Sequence, residues 1–143
     1  MLILSLQTPR FHGGVHGCLR THIKKSSILK QFDNPIALHI RRGDFLINSA
    51  NHHNLPMSYY ENALDRFDDD RQVVIFSDDP EWCFEQKLFN DDRFLVSQSN
   101  SPYHDLYLMT HCADFIIANS TFSWWGAWLS QNPYKEVIYP KTI

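Results

Sequence analysis

From residue 35 onward, short apolar runs alternate with stretches in which apolar residues recur at helical spacing. The runs are rich in valine, isoleucine and phenylalanine and have the length of buried strands. The intervening stretches begin near prolines or small polar residues, which are favoured at helix starts. This pattern predicts five strands, at 35–40, 72–76, 94–96, 114–118 and 137–139, and four helices, at 56–67, 80–89, 101–112 and 122–130, the second of them after an acidic cap at 77–79.

Strands and helices in alternation predict an α/β fold: a Rossmann-like parallel sheet with helices on both faces. In such a sheet every strand-to-helix loop emerges at the carboxyl edge, where ligands bind. The polar residues that follow each predicted strand are therefore the first candidates for a functional site.

Residues 1–34 show a less regular pattern. The stretch from Met1 to Leu6 is apolar but lacks the basic start and the small-residue cleavage site of a signal peptide. This favours a buried strand or the interior of a longer chain. Residues 18–32 are compatible with an amphipathic helix. Since no run of about 18 apolar residues occurs, the sequence predicts no transmembrane segment.

Length, charge and cysteine content narrow the function classes. The 143 residues suffice for one domain with a real core. The formal net charge of −3 argues against a protein that mainly binds nucleic acid, because such proteins usually carry a basic surplus. Cys18, Cys83 and Cys112 are odd in number and widely spaced, which favours free thiols in a reducing compartment over a disulfide framework or a zinc site.

The first polar loop follows the strand 35–40 and carries Arg41 and Arg42, then Gly43 and Asp44. A guanidinium offers a planar fork of donors and keeps its charge, so an adjacent pair suits a phosphate group. The alternative is a surface loop with an Arg–Asp ion pair, which is common and contributes little. The hexapeptide alone does not decide between the two interpretations.

Two further polar loops are expected at the same edge. Ser77 to Asp79 supplies carboxylates that can accept hydrogen bonds from a purine base or from ribose hydroxyls. Asn119 to Ser123 supplies hydroxyls and N–H groups at a helix start, which favours an anion. Helix capping explains each of these two loops equally well when it is taken singly. The presence of three polar loops at one edge favours a pocket for a nucleoside diphosphate.

One acidic run resembles a metal motif. Asp68 to Asp70 matches the D-x-D pattern of metal-dependent sugar-nucleotide enzymes, but it precedes a strand and so belongs to the opposite edge. We expect a solvated turn there, and no metal site.

Three tryptophans, Trp124, Trp125 and Trp128, fall within the predicted helix 122–130. Their spacing favours core packing for at least two of them, with sugar stacking as the alternative role for one.

Three sequence motifs closely resemble those of the galactoside α-1,2-fucosyltransferases, glycosyltransferase family eleven. The first is HIRRGD at 39–44, and the second is FSDD at 76–79 with Trp82. The third begins with DLYLM at 105–109 and runs on to ANSTFSWWGAWL at 118–129. The third motif is long and specific, and all three occur in the family's order. The likeness covers residues 35–140 well.

This resemblance implies the C-terminal, donor-binding half of a GT-B glycosyltransferase. It implies inverting, metal-independent transfer of L-fucose from GDP-fucose to the 2-hydroxyl of a galactose-terminated glycan, without a cofactor. Asp44 is the candidate catalytic residue. By the same likeness, Arg41 and Arg42 are expected to hold the diphosphate, with His39 and Asp44 shaping the same pocket. The two other polar loops add to the expected donor-binding residues Ser77, Asp78, Asn119, Ser120, Thr121 and Ser123.

Family members also carry an N-terminal half, of which residues 1–34 are interpreted as a remnant or an interdomain segment. Residues 35–143 then form the donor-binding domain, and the missing half is supplied elsewhere or absent. The alternative is a non-catalytic remnant that binds a GDP-sugar. In a bacterium, the resemblance implies a cytoplasmic protein or one peripherally associated with the membrane.

Overall fold

The computed structural model describes residues 2–4, 33–43, 54–99 and 101–141. The helices are α1 (Met57–Leu64), α2 (Pro80–Glu85), α3 (Pro102–Thr110) and α4 (Thr121–Leu129), and a short 3₁₀ turn, Lys87–Phe89, follows α2. The strands are β1 (Leu2–Leu4), β2 (Ile36–Ile40), β3 (Val73–Ser77), β4 (Phe94–Val96), β5 (Asp114–Ile116) and β6 (Val137–Tyr139).

The strands form one sheet in the order β1-β6-β5-β2-β3-β4. The five strands from β2 to β6 run parallel, whereas β1 pairs antiparallel with β6 at the edge. The predicted Rossmann-like α/β fold is confirmed. The apolar start of the chain does form a strand, which extends the sheet beyond the predicted domain start at residue 35.

The chain reverses its direction across the sheet between β2 and β5, which are adjacent. The chain first adds β3 and β4 on one side of β2, and then crosses to add β5 and β6 on the other side. In open α/β sheets such a switch point opens a crevice at the carboxyl ends of the two strands. The loops after β2 and β5 therefore flank the expected ligand position.

Two apolar layers enclose the sheet. On one face the strands pack against α1 and α2, and on the other they pack against α3 and α4. All five residues of β2 are buried. This explains why its sequence is apolar at every position except His39 and does not alternate with polar residues. Each fully buried leucine or isoleucine contributes about 1.5–3 kcal/mol, so this central strand is fixed firmly in place.

Two tyrosines of α1 hydrogen-bond to backbone carbonyls at the carboxyl ends of β2, β5 and β6. The hydroxyl of Tyr60 donates to the carbonyl of His39 at 3.3 Å. The hydroxyl of Tyr59 donates to the carbonyls of Ile117 at 2.7 Å and Ile138 at 3.3 Å. Helix α1 thereby holds β2, β5 and β6 in register at the edge where the switch point opens.

One predicted helix is shorter in the structure than expected. The predicted helix 80–89 begins at Pro80 as expected but is not continuous, because Gln86 adopts an extended backbone and its side-chain amide donates to the carbonyl of Trp82. The break turns Phe89 into the core, where its ring lies 5.4 Å from that of Phe94. The predicted helix at 18–32 and Cys18 lie outside the described residues.

No helix in the part of the chain that the structure describes has both the length and the apolar character needed to cross a membrane. Cys83 and Cys112 are buried free thiols. Burial raises the pKa of Cys83 to about 11 and raises that of Cys112 still further.

Candidate functional site

An open cleft of about 700 Å³ lies at the carboxyl ends of the central strands. We call it the carboxyl-edge cleft. The loops after β2, β3 and β4 and the first turns of α2, α3 and α4 line it, contributing among others His39, Arg41, Asp78, Ser97, Asp105 and Phe122. A smaller cavity of about 250 Å³ lies at the opposite edge, between Asn34, His111 and Asn132.

Arg41 is the cation that lines the carboxyl-edge cleft. Its Nη1 lies 3.5 Å from Oδ2 of Asp78, and about a third of the side chain is exposed. A partly exposed ion pair of this length contributes little to stability. The guanidinium lies at the cleft and carries donors of the kind that bind a phosphate.

Arg42 lies outside the lining of the cleft, although it is adjacent in sequence. Its guanidinium carbon sits 3.9 Å from the centre of the Trp82 ring, and its Nε is 3.4 Å from Oδ2 of Asp79. Asp79 in turn caps α2 by accepting from the backbone N–H of Trp82. The two arginines thus have different surroundings, and the expected Arg–Asp pairing occurs at both of them.

Asp78 reaches from the β3 loop to the β2 loop. Its Oδ1 accepts from the backbone N–H of Arg42 at 2.9 Å, and its Oδ2 accepts from that of Gly43 at 2.6 Å. Ser77, which also lines the cleft, accepts from the N–H of Asp79 through its hydroxyl. The carboxylate expected to face a base or ribose lines the cleft, and both of its oxygens accept hydrogen bonds from the protein backbone.

His39 is a buried residue in the cleft wall, with only 4% of its surface exposed. Burial lowers the pKa of its imidazole to about 4; the charge of Asp78 opposes this shift, and that of Arg41 adds to it. Its Nδ1 is buried without a hydrogen-bond partner among the described residues. Its ring centre lies 5.5 Å from that of Phe122. The contact joins the loops after β2 and β5 across the switch point.

The third loop reaches the same edge, as its sequence predicts. The hydroxyl of Ser120 accepts from the N–H of Phe122 and so caps α4. Ser123 is fully buried, and its hydroxyl donates to the carbonyls of Ala118 and Ser120, so it has no access to the cleft. Thr121 is exposed, and Asn119 is half-buried. Phe122 is the residue of this loop that lines the cleft.

The structure adds Asp105 and Ser97, which are absent from the predicted donor-binding residues. Asp105 lies in the first half of α3 and lines the cleft. The hydroxyl of Ser97 donates to Oδ1 of Asp105 at 2.7 Å. Burial raises the pKa of Asp105, and the Ser97 hydrogen bond and His104 oppose the shift. The edge rule could have found the Ser97 loop, because it too follows a parallel strand.

Asp44, the candidate catalytic residue, lies outside the described residues. Within 33–43, 54–99 and 101–141, no three His, Cys, Asp or Glu side chains come together as metal ligands. Asp68 to Asp70 form an exposed turn before β3, at the edge away from the cleft.

The three tryptophans of α4 are not core residues. Trp124 and Trp125 are 40% and 49% exposed, and Trp128 stacks on Trp124 at 5.4 Å between ring centres. The expectation that at least two of them pack in the core was wrong. The helix packs instead through its small residues: a side chain added at Gly126 would meet Met109 of α3 at 2.9 Å.

The cleft therefore combines a guanidinium, a buried neutral imidazole and a partly buried carboxylate at a Rossmann-type switch point. The family model for glycosyl transferase family 11 matches residues 15–142. The chain belongs to this family.

Individual relatives of this family-11 chain include two from Escherichia coli. The O-antigen biosynthesis glycosyltransferase WbnK is 39% identical over 132 residues, covering 87% of this chain and 43% of the relative. An alpha-1,2-colitosyltransferase is 36% identical over 127 residues, covering 82% of this chain and 43% of the relative. Galactoside alpha-(1,2)-fucosyltransferase 1 of Alouatta belzebul is 27% identical over 128 residues, covering 76% of this chain and 33% of the relative.

The family-11 chain thus spans less than half the length of these relatives. No solved structure gives a significant match to it. The predicted family is confirmed, and the contacts of individual residues with a donor stay predictions.

Proposed function

We propose that this chain is the donor-binding half of a glycosyltransferase that moves L-fucose from GDP-fucose to the 2-hydroxyl of a galactoside with inversion. The observation that carries the proposal is the carboxyl-edge cleft, where the loops after β2, β3 and β5 meet at the switch point. All three sequence motifs of the family contribute to that cleft through His39, Arg41, Asp78, Asp105 and Phe122.

The diphosphate is assigned to the side of the cleft that carries Arg41. When the glycosidic bond to the sugar breaks, negative charge develops on the leaving diphosphate. A fixed guanidinium stabilises that charge, and it does so more strongly in a site partly shielded from water. The neutral imidazole of His39 can donate or accept a hydrogen bond with the ligand without adding a second positive charge to the cleft.

The guanine base is assigned to Asp105. A guanine ring presents adjacent N–H donors, and a carboxylate accepts from such a pair. Oδ1 of Asp105 is already oriented by Ser97, and the side chain faces the cleft. Asp78, by contrast, has both oxygens engaged by backbone N–H groups.

The transferred sugar is fucose or a close analogue. Two relatives are named for fucose or colitose transfer in α-1,2 linkage. No residue assigned so far to the diphosphate or the base discriminates between these sugars. The fucosyl donor is our first choice because the motifs resemble those of the galactoside α-1,2-fucosyltransferases.

A second candidate function is binding without catalysis. It is kept as an alternative because the match leaves more than half of each relative's length uncovered. In that case the chain binds a GDP-sugar and transfers nothing unless the remaining part of the enzyme is supplied. Only the catalytic proposal includes a galactose-terminated acceptor, a partner protein and peripheral contact with a membrane.

A transfer assay separates the two candidates. Purified chain is incubated with GDP-fucose or the corresponding colitosyl donor, with lactose as acceptor, and the trisaccharide product and released GDP are quantified. We expect GDP binding in both cases, and product only if the chain is catalytic. EDTA should leave binding unchanged, since the proposal assigns the diphosphate to Arg41 and not to a metal.

A further inference from the structure

Asp78 forms a bridge between two loops of the carboxyl-edge cleft. Its two carboxylate oxygens each accept one backbone N–H, from Arg42 at 2.9 Å and from Gly43 at 2.6 Å. Oδ2 also lies 3.5 Å from the guanidinium of Arg41. One side chain of the β3 loop therefore contacts three successive residues of the β2 loop.

The bridge requires a carboxylate. Two N–H donors face it, and an ionised carboxylate accepts at both oxygens, whereas an asparagine has one carbonyl oxygen and one NH₂ group. In Asp78→Asn, one of the two backbone N–H groups would lose its acceptor and meet a donor. Charge-assisted hydrogen bonds to N–H groups are also stronger than neutral ones.

Gly43 permits the close approach. A Cβ built on Gly43 would lie 2.6 Å from Oδ2 of Asp78. Real Cβ atoms do not come so close to an oxygen, so an alanine at this position would push the carboxylate or the loop away. The glycine of the first motif is therefore explained by the aspartate of the second.

We propose that Asp78 is a positioning residue, which fixes the β2 loop so that Arg41 meets the diphosphate of the donor. This inference rests on the proposed function, because it takes GDP as the ligand. It replaces the expected direct contact between Asp78 and the base or ribose. Asp78 then contributes to binding through Arg41 and not through the nucleoside.

The discriminating experiment compares GDP with guanosine. Calorimetry with GDP and NMR titration with guanosine are performed on the wild type, Asp78→Asn and Gly43→Ala. Asp70→Asn, the same change on an exposed turn, is the matched control. We expect both cleft variants to lose about tenfold to a hundredfold in GDP affinity, and to stay within about twofold of the wild type for guanosine.

A merely structural role would not give this split between the two ligands. An equal loss for guanosine and GDP would overturn the proposal, as would unchanged GDP affinity in folded Asp78→Asn. In the double variant Arg41→Ala/Asp78→Asn, the two losses of GDP affinity should not add, because both substitutions remove the same interaction, that of Arg41 with the diphosphate. Fully additive losses would mean that Asp78 contacts the ligand directly, and would overturn the proposal.

Amide hydrogen exchange tests the bridge without any ligand. In the wild type the N–H groups of Arg42 and Gly43 should exchange slowly, and in Asp78→Asn both should exchange faster, while core amides of β3 stay protected. If the wild type binds no GDP, the proposed function fails, but this measurement still decides on the bridge. Equal exchange of the two amides in both proteins would overturn it.

Discussion

At the residue scale, His39 shows how burial sets a chemical state. The side chain is the fourth of five in β2, and its ring contacts Phe122, which packs against the apolar layer on the α3 and α4 face of the sheet. Because a charged imidazole would lose its hydration there, the neutral form is favoured and the pKa falls to about 4. The cleft thus keeps a neutral ring beside the cation Arg41 at physiological pH.

A pH dependence of stability follows from this shift. In the unfolded chain His39 titrates near its ordinary value of 6.5, so between about pH 6.5 and 4 the unfolded state binds more protons. The stability due to the neutral ring is therefore fully present above pH 6.5 and is lost as the pH falls toward 4. The loss approaches about 3 kcal/mol by the linkage relation.

Chemical unfolding of wild type and His39→Gln across this pH range measures the effect. The variant should show a flatter dependence of its free energy of unfolding on pH. Parallel curves for wild type and His39→Gln would contradict the buried neutral state.

The two arginines give a second prediction at this scale. Arg41→Ala should weaken GDP binding by about 1.5–3 kcal/mol, the range for a lost hydrogen bond to a charged group, with little change in stability. Arg42→Ala should mainly lower the free energy of unfolding, by about 1 kcal/mol, because its guanidinium stacks on Trp82. Arg66→Ala, at an exposed turn, is the control for both. The reverse pattern would place Arg42, not Arg41, against the diphosphate.

At the element scale, the sequence pattern predicted the five parallel strands and their order along the chain. Buried strands are recognisable because β2 and β3 are apolar except for His39 and Ser77 near their carboxyl ends. The pattern did not reveal the break at Gln86, since Trp82, Cys83 and Phe89 keep helical spacing across it. Tertiary packing of Phe89 overrides the local preference there.

The candidate site was predictable as an edge but not as a set of contacts. The carboxyl-edge rule places His39, Arg41 and Asp78 together from sequence alone. It cannot tell that Arg42 turns toward Trp82 or that Asp78 accepts backbone N–H groups, because adjacent loop residues can point either way. The exposure of Trp124 and Trp125 was also missed, because the close packing of Gly126 on Met109 decides which side of α4 faces inward.

The start of α4 gives a prediction for this element. Ser120→Ala removes the N-cap and should lower the free energy of unfolding by about 1 kcal/mol, while GDP affinity stays the same. Thr121→Ala, one residue on and exposed, should leave stability nearly unchanged. Urea unfolding and calorimetry on both variants provide the check. A fall in GDP affinity for Thr121→Ala would show that its hydroxyl reaches the ligand.

At the scale of the whole molecule, the strand order decides where chemistry can gather. Placing β2 next to β5 brings together loops that are about 80 residues apart in sequence, and the His39–Phe122 ring contact records that meeting. The hydroxyls of Tyr59 and Tyr60 in α1 donate to backbone carbonyls at the carboxyl ends of the same strands. The larger of the two cavities lies at this edge, and no lysine or arginine is found among the described residues that line the smaller one at the opposite edge.

The central claim is that GDP binds in the carboxyl-edge cleft. Titration of GDP into ¹⁵N-labelled protein, followed by amide chemical shifts, tests it most directly. We predict saturable shifts at His39, Arg41, Asp78, Ser97 and Phe122, and none at the residues around the smaller cavity, such as Ala113 and Asn132. Shifts centred on that opposite edge, or no shifts at millimolar GDP, would contradict the account.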